Sequence, residues 1–423
     1  MAIESEVLVI GGGLAGATAA LAAARAGADV RLVAHKDSTL SQASGLVDVL
    51  GQHQGELVAD PLAVVPDLPE GHPYERAGLD ALEAGLGLFD DVVPDYAGDH
   101  TDANALVPTH GGTVKPTARY PEHSAAGLAS RPADALLVGF ESLTDFDAPM
   151  AAAHLRNAGV PFDVRGVTLA FPGDLRADAT VTRYAHVLEA DESVGTDAGE
   201  RGARAALAAS IATELGDEER VGLPAVLGRD APGEVRTDLE SRLGVPVFEV
   251  PMGPPSLPGL RLEDALYDAL DGAGVSLDTG NPVVGAEVAD GAVERVLVER
   301  THSEVPYHAE RVVLATGGLV GGGVESDRER VHEPLFDCHV PHPADRYDWF
   351  ADEPFGEHAA ARFGVDVDRA LRPRDASGRV EFANLHAAGA ILGGADFAAE
   401  KSGSGVSLAT GWKAGTLAGE GVA

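Results

Sequence analysis

The chain has 423 residues, 45% of them hydrophobic, and its 67 acidic residues against 31 basic ones give a formal net charge of −36. This length favours two lobes over a single core, and the acidity argues against nucleic acid or bare anionic membrane as a partner. Because the acids are dispersed along the chain, the charge indicates a halophile's protein, with generic acidity as the alternative.

The single cysteine, Cys338, excludes an internal disulfide and an iron–sulfur cluster held by cysteines of this chain alone. It lies near His332, His339 and His342, but the spacing matches no zinc pattern, so we expect a buried thiol and no metal site. Since no apolar run reaches the length of a membrane span or forms a signal peptide, we expect a cytoplasmic protein without a transmembrane segment.

The N-terminal residues 6–16, E-V-L-V-I-G-G-G-L-A-G, are typical of a nucleotide-binding turn. Apolar residues 7–10 predict a buried parallel strand, residues 14–26 an Ala-rich helix, and residues 29–33 a second strand. The G-x-G-x-x-G glycines between strand and helix are Gly11, Gly13 and Gly16. In this context they predict a nucleotide or flavin site, with the phosphate at the N-terminus of the helix.

The acid that usually binds the adenosine ribose is missing from its expected place. That position, at the end of the second strand, falls near Ala34, which cannot bind a ribose by a hydrogen bond. Either Asp37 reaches back from the following loop, or the cofactor lacks the conventional contact to an adenosine ribose.

Two further glycine-rich elements lie far downstream. The first contains a predicted helix at 260–271, a hairpin of strands 283–288 and 293–299, and a strand ending in A-T-G-G at 315–318. Its small residues would let the chain pass close to a ligand. The second, N-L-H-A-A-G-A-I-L-G-G at 384–394, leads into a predicted helix at 406–418, an arrangement suited to an anion or a carbonyl.

The intervening sequence, roughly 98–258, has the pattern of an independent α/β insertion. We expect strands at 135–140 and 164–170 and helices at 148–159 and 203–215, and a Pro-rich link marks its end. The predicted domains are therefore a discontinuous one, 1–97 with 259–423, and an inserted one, 98–258.

Taken together, the three glycine-rich elements resemble those of the two-dinucleotide-binding-domain flavoproteins. Within that superfamily, the runs Q-A-S-G-L-V-D-V-L (42–50), P-T-H-G-G-T-V-K-P-T (108–117) and P-P-S-L-P-G-L-R-L (254–262) resemble the B-subunit family of anaerobic glycerol-3-phosphate dehydrogenase. The resemblance implies an α/β fold: a Rossmann-like flavin-binding domain built from both ends of the chain, with an inserted α/β cap domain.

The resemblance also implies a function. It is that of a membrane-linked dehydrogenase of three subunits, in which a catalytic FAD-bearing subunit oxidises sn-glycerol 3-phosphate to dihydroxyacetone phosphate. The B-subunit itself carries FMN, and an iron–sulfur, membrane-associated subunit passes electrons to quinone. The chain would then lie peripherally at the inner face of the cell membrane. The absence of an acid at position 34, which is Ala34, would weaken the binding of FMN less than that of FAD, the alternative cofactor.

The candidate site residues follow from these motifs. Those expected to contact the cofactor are Gly11, Gly13, Gly16, Ser44, Gly45, Gly317, Gly389, Gly393 and Gly394. Candidates for the substrate phosphate are Lys115, Arg119, Arg261 and Arg372, although so acidic a chain would pair most cations on its surface. No catalytic acid or base is assigned, since His110 and His386 carry no specific signal.

Two other functions remain open at this stage. The chain could be an accessory scaffold that binds little or no flavin, or a free-standing FAD-dependent oxidoreductase acting on another substrate. An NAD-dependent Rossmann dehydrogenase fits least well, because the element at 384–394 would have no purpose there.

Overall fold

The structure of the protein is a computed structural model that describes residues 3–35, 38–173, 175, 179–196, 199–301, 303–354 and 356–422. Asp37, proposed above as a substitute for the missing acid, lies outside the described residues.

The helices are α1 Leu14–Arg25, α2 Pro61–Val64, α3 Pro73–Ala77, α4 Leu79–Val92, α5 Ala148–Ala158, α6 Val181–Glu189, α7 Ala203–Glu214, α8 Pro232–Leu243, α9 Leu257–Gly272, α10 Phe397–Glu400 and α11 Gly403–Glu420. The strands are β1 Ile3–Ile10, β2 Val30–Ala34, β3 Gln52–His53, β4 Glu56–Leu57, β5 Tyr96–Ala97, β6 Ala105–Pro108, β7 Val114–Thr117, β8 Tyr120–Pro121, β9 Ala135–Phe140, β10 Val164–Leu169, β11 Ser193–Thr196, β12 Gly199–Gly202, β13 Arg220–Pro224, β14 Val247–Val250, β15 Ser276–Thr279, β16 Val283–Ala289, β17 Ala292–Arg300, β18 Ser303–Leu314, β19 Glu325–Ser326, β20 Val331–His332 and β21 Leu385–Ala387.

The chain divides into two compact units. Unit 1 contains Met1–Thr39, Asp48–Pro94 and Asp264–Ala423, and unit 2 contains Leu40–Val47 and Asp95–Glu263. The domain boundaries expected from the sequence lie a few residues away, except that residues 40–47 belong to unit 2. The reason is local, since Val47 exchanges backbone hydrogen bonds with Arg119.

Unit 1 is built on a seven-stranded sheet in which β15, β2, β1, β18, β17 and β16 are neighbours in that order and β21 also pairs with β18. The strands β15, β2, β1 and β18 run parallel, and β16 and β17 return antiparallel as the hairpin expected around Asp290 and Gly291. The apolar run Val7–Ile10 is buried to 3% exposure or less, as a central parallel strand requires. The predicted strand–helix–strand unit is therefore confirmed.

Helices α1 and α11 pack together in unit 1. A Cβ at Gly415 would lie 2.1 Å from the carbonyl oxygen of Ala19, so the two backbones meet at a distance that only glycine permits. The Ala- and Gly-rich composition of both helices is thus explained by close packing.

Unit 2 has its own four-stranded parallel sheet, in the order β10, β9, β13 and β14. The side chains of β9 are buried throughout, and α5, α7 and α8 contribute to the same apolar core. The α/β class expected for both parts of the chain is confirmed. No helix among the described residues combines the length and the apolarity needed to cross a bilayer.

Candidate functional site

The turn after β1 brings two of the glycine-rich elements together. Gly11 has φ +116°, and its N–H donates to the carbonyl of Val33 at 2.8 Å. A Cβ at Gly11 would lie 2.2 Å from the backbone oxygen of Ala315, the first residue of A-T-G-G. A side chain at Gly11 is therefore excluded both by conformation and by space.

The N-terminus of α1 has no cap. Gly13 is its N-cap residue, no side chain accepts a hydrogen bond there, and the first turn contains no acid. The N–H groups of residues 12–16 donate to none of the residues that the structure describes. Because helix N-termini carry partial positive charge and unsatisfied donors, this end fits a phosphate.

Thr316, next to this turn, also has an unsatisfied polar atom. Its hydroxyl is buried and finds no partner within the described part of the chain. A Cβ at Gly323 would lie 2.6 Å from that hydroxyl, and Gly317, with φ +85°, follows directly. Buried polar atoms are normally hydrogen-bonded, so the orphaned Thr316 hydroxyl fits a group that a bound ligand supplies.

At the end of β2, where a ribose acid would stand, the structure has an apolar residue and a tyrosine. Ala34 is 5% exposed and pairs with Thr279 of β15. The hydroxyl of Tyr267, on α9, donates to the carbonyl of Gly12 at 3.3 Å. A Cβ at Gly12 would lie 2.3 Å from that hydroxyl, so Tyr267 fills the space beside the turn.

The third glycine-rich element is placed differently from what the sequence suggested. Helix α11 begins at Gly403, and its first donors are taken inside the protein. The N–H of Ser404 donates to the carboxylate of Asp48 at 3.0 Å, and the N–H of Gly405 donates to the carbonyl of the same residue at 2.7 Å. Asp48 is only 7% exposed, so it is a buried cap for α11.

The three glycines expected to point N–H groups at a flavin also use those groups internally. Gly389 donates to the hydroxyl of Thr410 at 2.8 Å. Gly393 and Gly394 donate to the carbonyls of Val365 and Arg362, at 3.2 and 3.0 Å. These backbone donors serve the fold of unit 1.

A buried polar network surrounds the start of α11. His72 bonds to the carboxylate of Glu400 at 3.1 Å, and the Ser402 hydroxyl donates to the same carboxylate at 2.9 Å. Burial acts to raise the pKa of Glu400, but the hydrogen bonds and charge of His72 outweigh it, and the pKa is lowered. Burial, with the charges of Asp48 and Glu400, raises the pKa of Tyr74 well above its ordinary value.

Ser44 and Gly45, expected near the flavin, lie in unit 2. Gly45 has φ +76°, its carbonyl accepts from the Tyr96 hydroxyl at 2.7 Å, and a Cβ there would lie 2.6 Å from the Cβ of Pro258. The Ser44 hydroxyl accepts from the N–H of Leu46 at 3.4 Å. Within unit 2 the close approach of Gly45 to Pro258 joins the S-G-L-V-D-V-L and P-P-S-L-P-G-L-R-L runs.

The basic candidates for the substrate phosphate have partners in the structure. Arg261 forms a buried bidentate pair with Glu249, with one contact at 2.6 Å, and the charge of Arg261 keeps the pKa of Glu249 lowered although burial opposes it. Arg372 pairs with Asp368 at 2.7 Å. The other two candidates, Arg119 and Lys115, are also engaged, Arg119 with the carbonyl of Gly98 at 2.9 Å.

The remaining residues singled out in the sequence have structural environments. His386 is 5% exposed and bonds to the carbonyl of Ala370 at 2.8 Å, and burial lowers its pKa. His110 lies in unit 2, where its backbone N–H donates to Pro251 at 3.1 Å. Cys338 is 1% exposed, which confirms the expected buried thiol. Among the described residues, no cluster of three or more His, Cys, Asp and Glu side chains could hold a metal ion.

Two of these features were missed by sequence reasoning. The Asp48 cap on α11 carried a weak signal, because Asp48 belongs to the S-G-L-V-D-V-L run. Tyr267 carried none, since its helical position is equally typical of a packed aromatic side chain.

The sequence is similar to known proteins over nearly its whole length. Residues 6–406 match the family described as FAD binding domain. A probable anaerobic glycerol-3-phosphate dehydrogenase B-subunit from Halobacterium salinarum is 61% identical and covers 100% of this chain and 99% of its own length. The anaerobic glycerol-3-phosphate dehydrogenase B-subunit of Pectobacterium carotovorum is 30% identical, covering 95% of this chain and 96% of its own.

Among solved structures, similarity is weaker. A 3-ketosteroid delta1-dehydrogenase from Sterolibacterium denitrificans shares 13% identity and a TM-score of 0.44, covering 99% of both chains.

Proposed function

The chain belongs to the FAD binding domain family and, within it, to the B-subunit family of anaerobic glycerol-3-phosphate dehydrogenase, and from this premise we propose how it works. It is a flavoprotein dehydrogenase subunit. We propose that it helps to oxidise sn-glycerol 3-phosphate to dihydroxyacetone phosphate and passes the electrons to a partner protein of the same complex.

The uncapped N-terminus of α1 is the observation that carries this proposal. Its free N–H groups would hold the phosphate of the flavin, and the Thr316 hydroxyl would bind a polar atom of the same cofactor. When bound, the flavin would supply the redox chemistry, carrying the two electrons removed from the alcohol. The protein would position it and exclude water.

We further propose that the flavin is FMN. The side chain of Ala34 offers no oxygen to an adenosine ribose, and Tyr267 fills the space beside Gly12. Both features remove contacts that FAD would need and FMN would not. FAD is the alternative, and the family description names FAD.

The partners in this proposal follow from the family name and from composition. Membership of a B-subunit family implies other subunits, and we propose two: a catalytic FAD-bearing subunit, together with an iron–sulfur, membrane-associated subunit. With one buried cysteine, this chain supplies no cluster of its own, so electrons would leave through the iron–sulfur subunit to quinone. The protein would then lie peripherally at the inner face of the cell membrane.

The internal use of the donors of α11, Gly389, Gly393 and Gly394 favours one rival function. A protein that lacks these donors could hold a flavin weakly and serve mainly as a scaffold.

The presence and identity of a bound flavin test this proposal. The chain is purified in high salt, its visible spectrum is recorded, and the cofactor released by denaturation is identified by mass. We expect a yellow protein that releases FMN and whose absorbance bleaches when sn-glycerol 3-phosphate is added to the complex. A folded but colourless protein would establish the scaffold, and released FAD would overturn only the FMN assignment. A flavin that stays oxidised in the complete complex would exclude this chain from the electron path.

A further inference from the structure

A groove of about 450 Å³ opens on unit 1, and none of the residues assigned above to the flavin lines it. Small-molecule sites typically have volumes of about 300–1,000 Å³, so the groove has room for a small ligand. Its lining comes from four short segments: Leu319, Ser326 to Arg328, Arg346 with Trp349 and Phe350, and Ala360 with Phe363. We call it the arginine groove. Leu319 follows the A-T-G-G segment in the chain.

The floor of the arginine groove is a packed aromatic cluster. Trp349 and Phe363 are each 7% exposed and meet edge to face at 5.8 Å between ring centroids, and His342 contacts both rings. The indole N–H of Trp349 donates to the carbonyl of Pro343 at 2.9 Å. These contacts hold the floor in one conformation, so the groove does not depend on a ligand for its shape.

The rim carries two arginines, Arg328 and Arg346, that form no hydrogen bond or ion pair with any residue the structure describes. Most other arginine side chains in the described part of the chain do have such a partner, as expected where acids outnumber bases 67 to 31. Arg330, two residues away, is paired with Asp337 at 3.0 Å, and Arg379 with Asp375 at 3.0 Å.

The acids that directly precede these arginines in the chain, Asp327 and Asp345, bind backbone N–H groups. One carboxylate oxygen of Asp327 accepts from the N–H groups of Glu329 and Arg330, at 2.7 and 2.9 Å, and so fixes the turn that carries Arg328. The carboxylate of Asp345 accepts from the N–H of Tyr347 at 3.0 Å and caps the turn that carries Arg346. Both carboxylates keep their charge, and Asp327 itself lines the groove, but among the described residues neither forms an ion pair with Arg328 or Arg346.

We propose that the arginine groove binds a small phosphate monoester, with its phosphate between Arg328 and Arg346 and its carbon part against Trp349 and Phe350. Guanidinium groups bind phosphate through paired N–H donors, and an aromatic surface suits the carbon chain. Phe350 is 62% exposed, which leaves its ring available to a ligand. The choice of a phosphate monoester rests on the proposed function, whereas the anionic character of the ligand does not.

The test uses the fluorescence of Trp349. The chain has two tryptophans, so a Trp412→Phe background leaves Trp349 alone as the reporter. We expect sn-glycerol 3-phosphate to change this fluorescence with saturation, inorganic phosphate to compete with it, and glycerol to have no effect. A response to glycerol equal to that of the ester would overturn the proposal.

Variants then locate the site. In the same background, Arg328→Gln and Arg346→Gln should each raise the Kd for the ester by about tenfold, which corresponds to the loss of one charged hydrogen bond. Arg379→Gln, a paired surface arginine, is the matched control and should leave the Kd unchanged.

Unchanged binding in both groove variants would overturn the proposal, as would failure of the ester to bind while purified partner proteins of the complex quench Trp349. The flavin content of each variant is measured in parallel. A wild-type flavin content with no ester binding refutes the groove alone, and absent flavin with intact ester binding refutes the flavin proposal alone.

Discussion

The N-termini of α1 and α11 lie in the same unit and both begin in glycine-rich sequence. They differ in whether their first backbone N–H groups have acceptors within the described residues. At α11 the carboxylate and the carbonyl of Asp48 accept from Ser404 and Gly405. At α1 the N-cap residue is Gly13, no side chain caps the helix, and the first turn has no acid. Both ends have the same dipole, so the sequence around each decides whether it stabilises the fold or remains open to an anion.

The difference indicates where the function lies. Donors left without partners in a packed region cost stability, and proteins keep them chiefly where a ligand completes them. The turn before α1 therefore has the properties of a binding site, whereas the N-terminus of α11 stabilises the fold. Four predictions test this contrast.

The largest effect is expected at Gly11. In Gly11→Ala the added Cβ would collide with the backbone oxygen of Ala315, and the φ of +116° would strain an alanine. We expect the free energy of unfolding to fall by about 2–4 kcal/mol and the flavin to be lost. The measurement is denaturant unfolding at constant salt, together with flavin content. Gly27→Ala is the control, because its φ is +99° but nothing lies within 4 Å of the Cβ. Gly27→Ala should lower the free energy of unfolding by about 1 kcal/mol, and the variant should keep its flavin. Equal behaviour of the two variants would remove the case for a crowded turn.

A smaller effect is expected at the capped helix. Asp48→Ala removes the side-chain acceptor of Ser404 and should destabilise the protein by about 1–2 kcal/mol, without changing the flavin content per folded chain. Asp48→Asn keeps an acceptor and should recover most of that loss. A loss of flavin in Asp48→Ala with the fold intact would mean that α11 is also part of the cofactor site.

The smallest effect is one of pH. The folded-state pKa of Glu400 is lowered, so this carboxylate stabilises the protein above its unfolded pKa, about 4.3, and that stabilisation is lost as the pH falls through the lower folded value. The protection factors of the Ser404 and Gly405 amides, which correct for the pH dependence of intrinsic exchange, should therefore fall on acidification before those in α1 do. Glu400→Gln should abolish this difference. Simultaneous opening of both helices in the wild type would show that Glu400 has no local role.

The sequence was sufficient for the elements whose pattern is local. The run Val7–Ile10, the glycine spacing and the Ala-rich helix predicted β1, α1 and β2, and the Asp290–Gly291 turn predicted the hairpin of β16 and β17. In each case the element predicted from the hydrophobic period and the turn residues lies within a few residues of the observed one.

The features it missed depend on contacts between distant parts of the chain. Asp48 and Ser404 are 356 residues apart, and no local sequence pattern predicts that Asp48 caps the helix that contains Ser404. The contact of Tyr267 with Gly12 spans 255 residues. Helix α8 was missed for a different reason: its sequence is largely polar, so its buried face, with Val235 and Leu239, is too narrow to give a strong period.

The N-terminus of α1 has to be open to an anion if it holds the flavin phosphate, and Gly13→Asp tests this directly. The φ of Gly13, −76°, suits any residue, and the nearest atom to an added Cβ is the Thr39 hydroxyl oxygen at 3.8 Å, so the variant should fold. Its carboxylate would cap α1 as Asp48 caps α11 and repel a phosphate. The measurement is flavin bound per folded chain, with Gly13→Ser as the uncharged cap. We predict at least about a tenfold loss of affinity in Gly13→Asp and a smaller loss in Gly13→Ser. Wild-type flavin content in a folded Gly13→Asp protein would contradict the account.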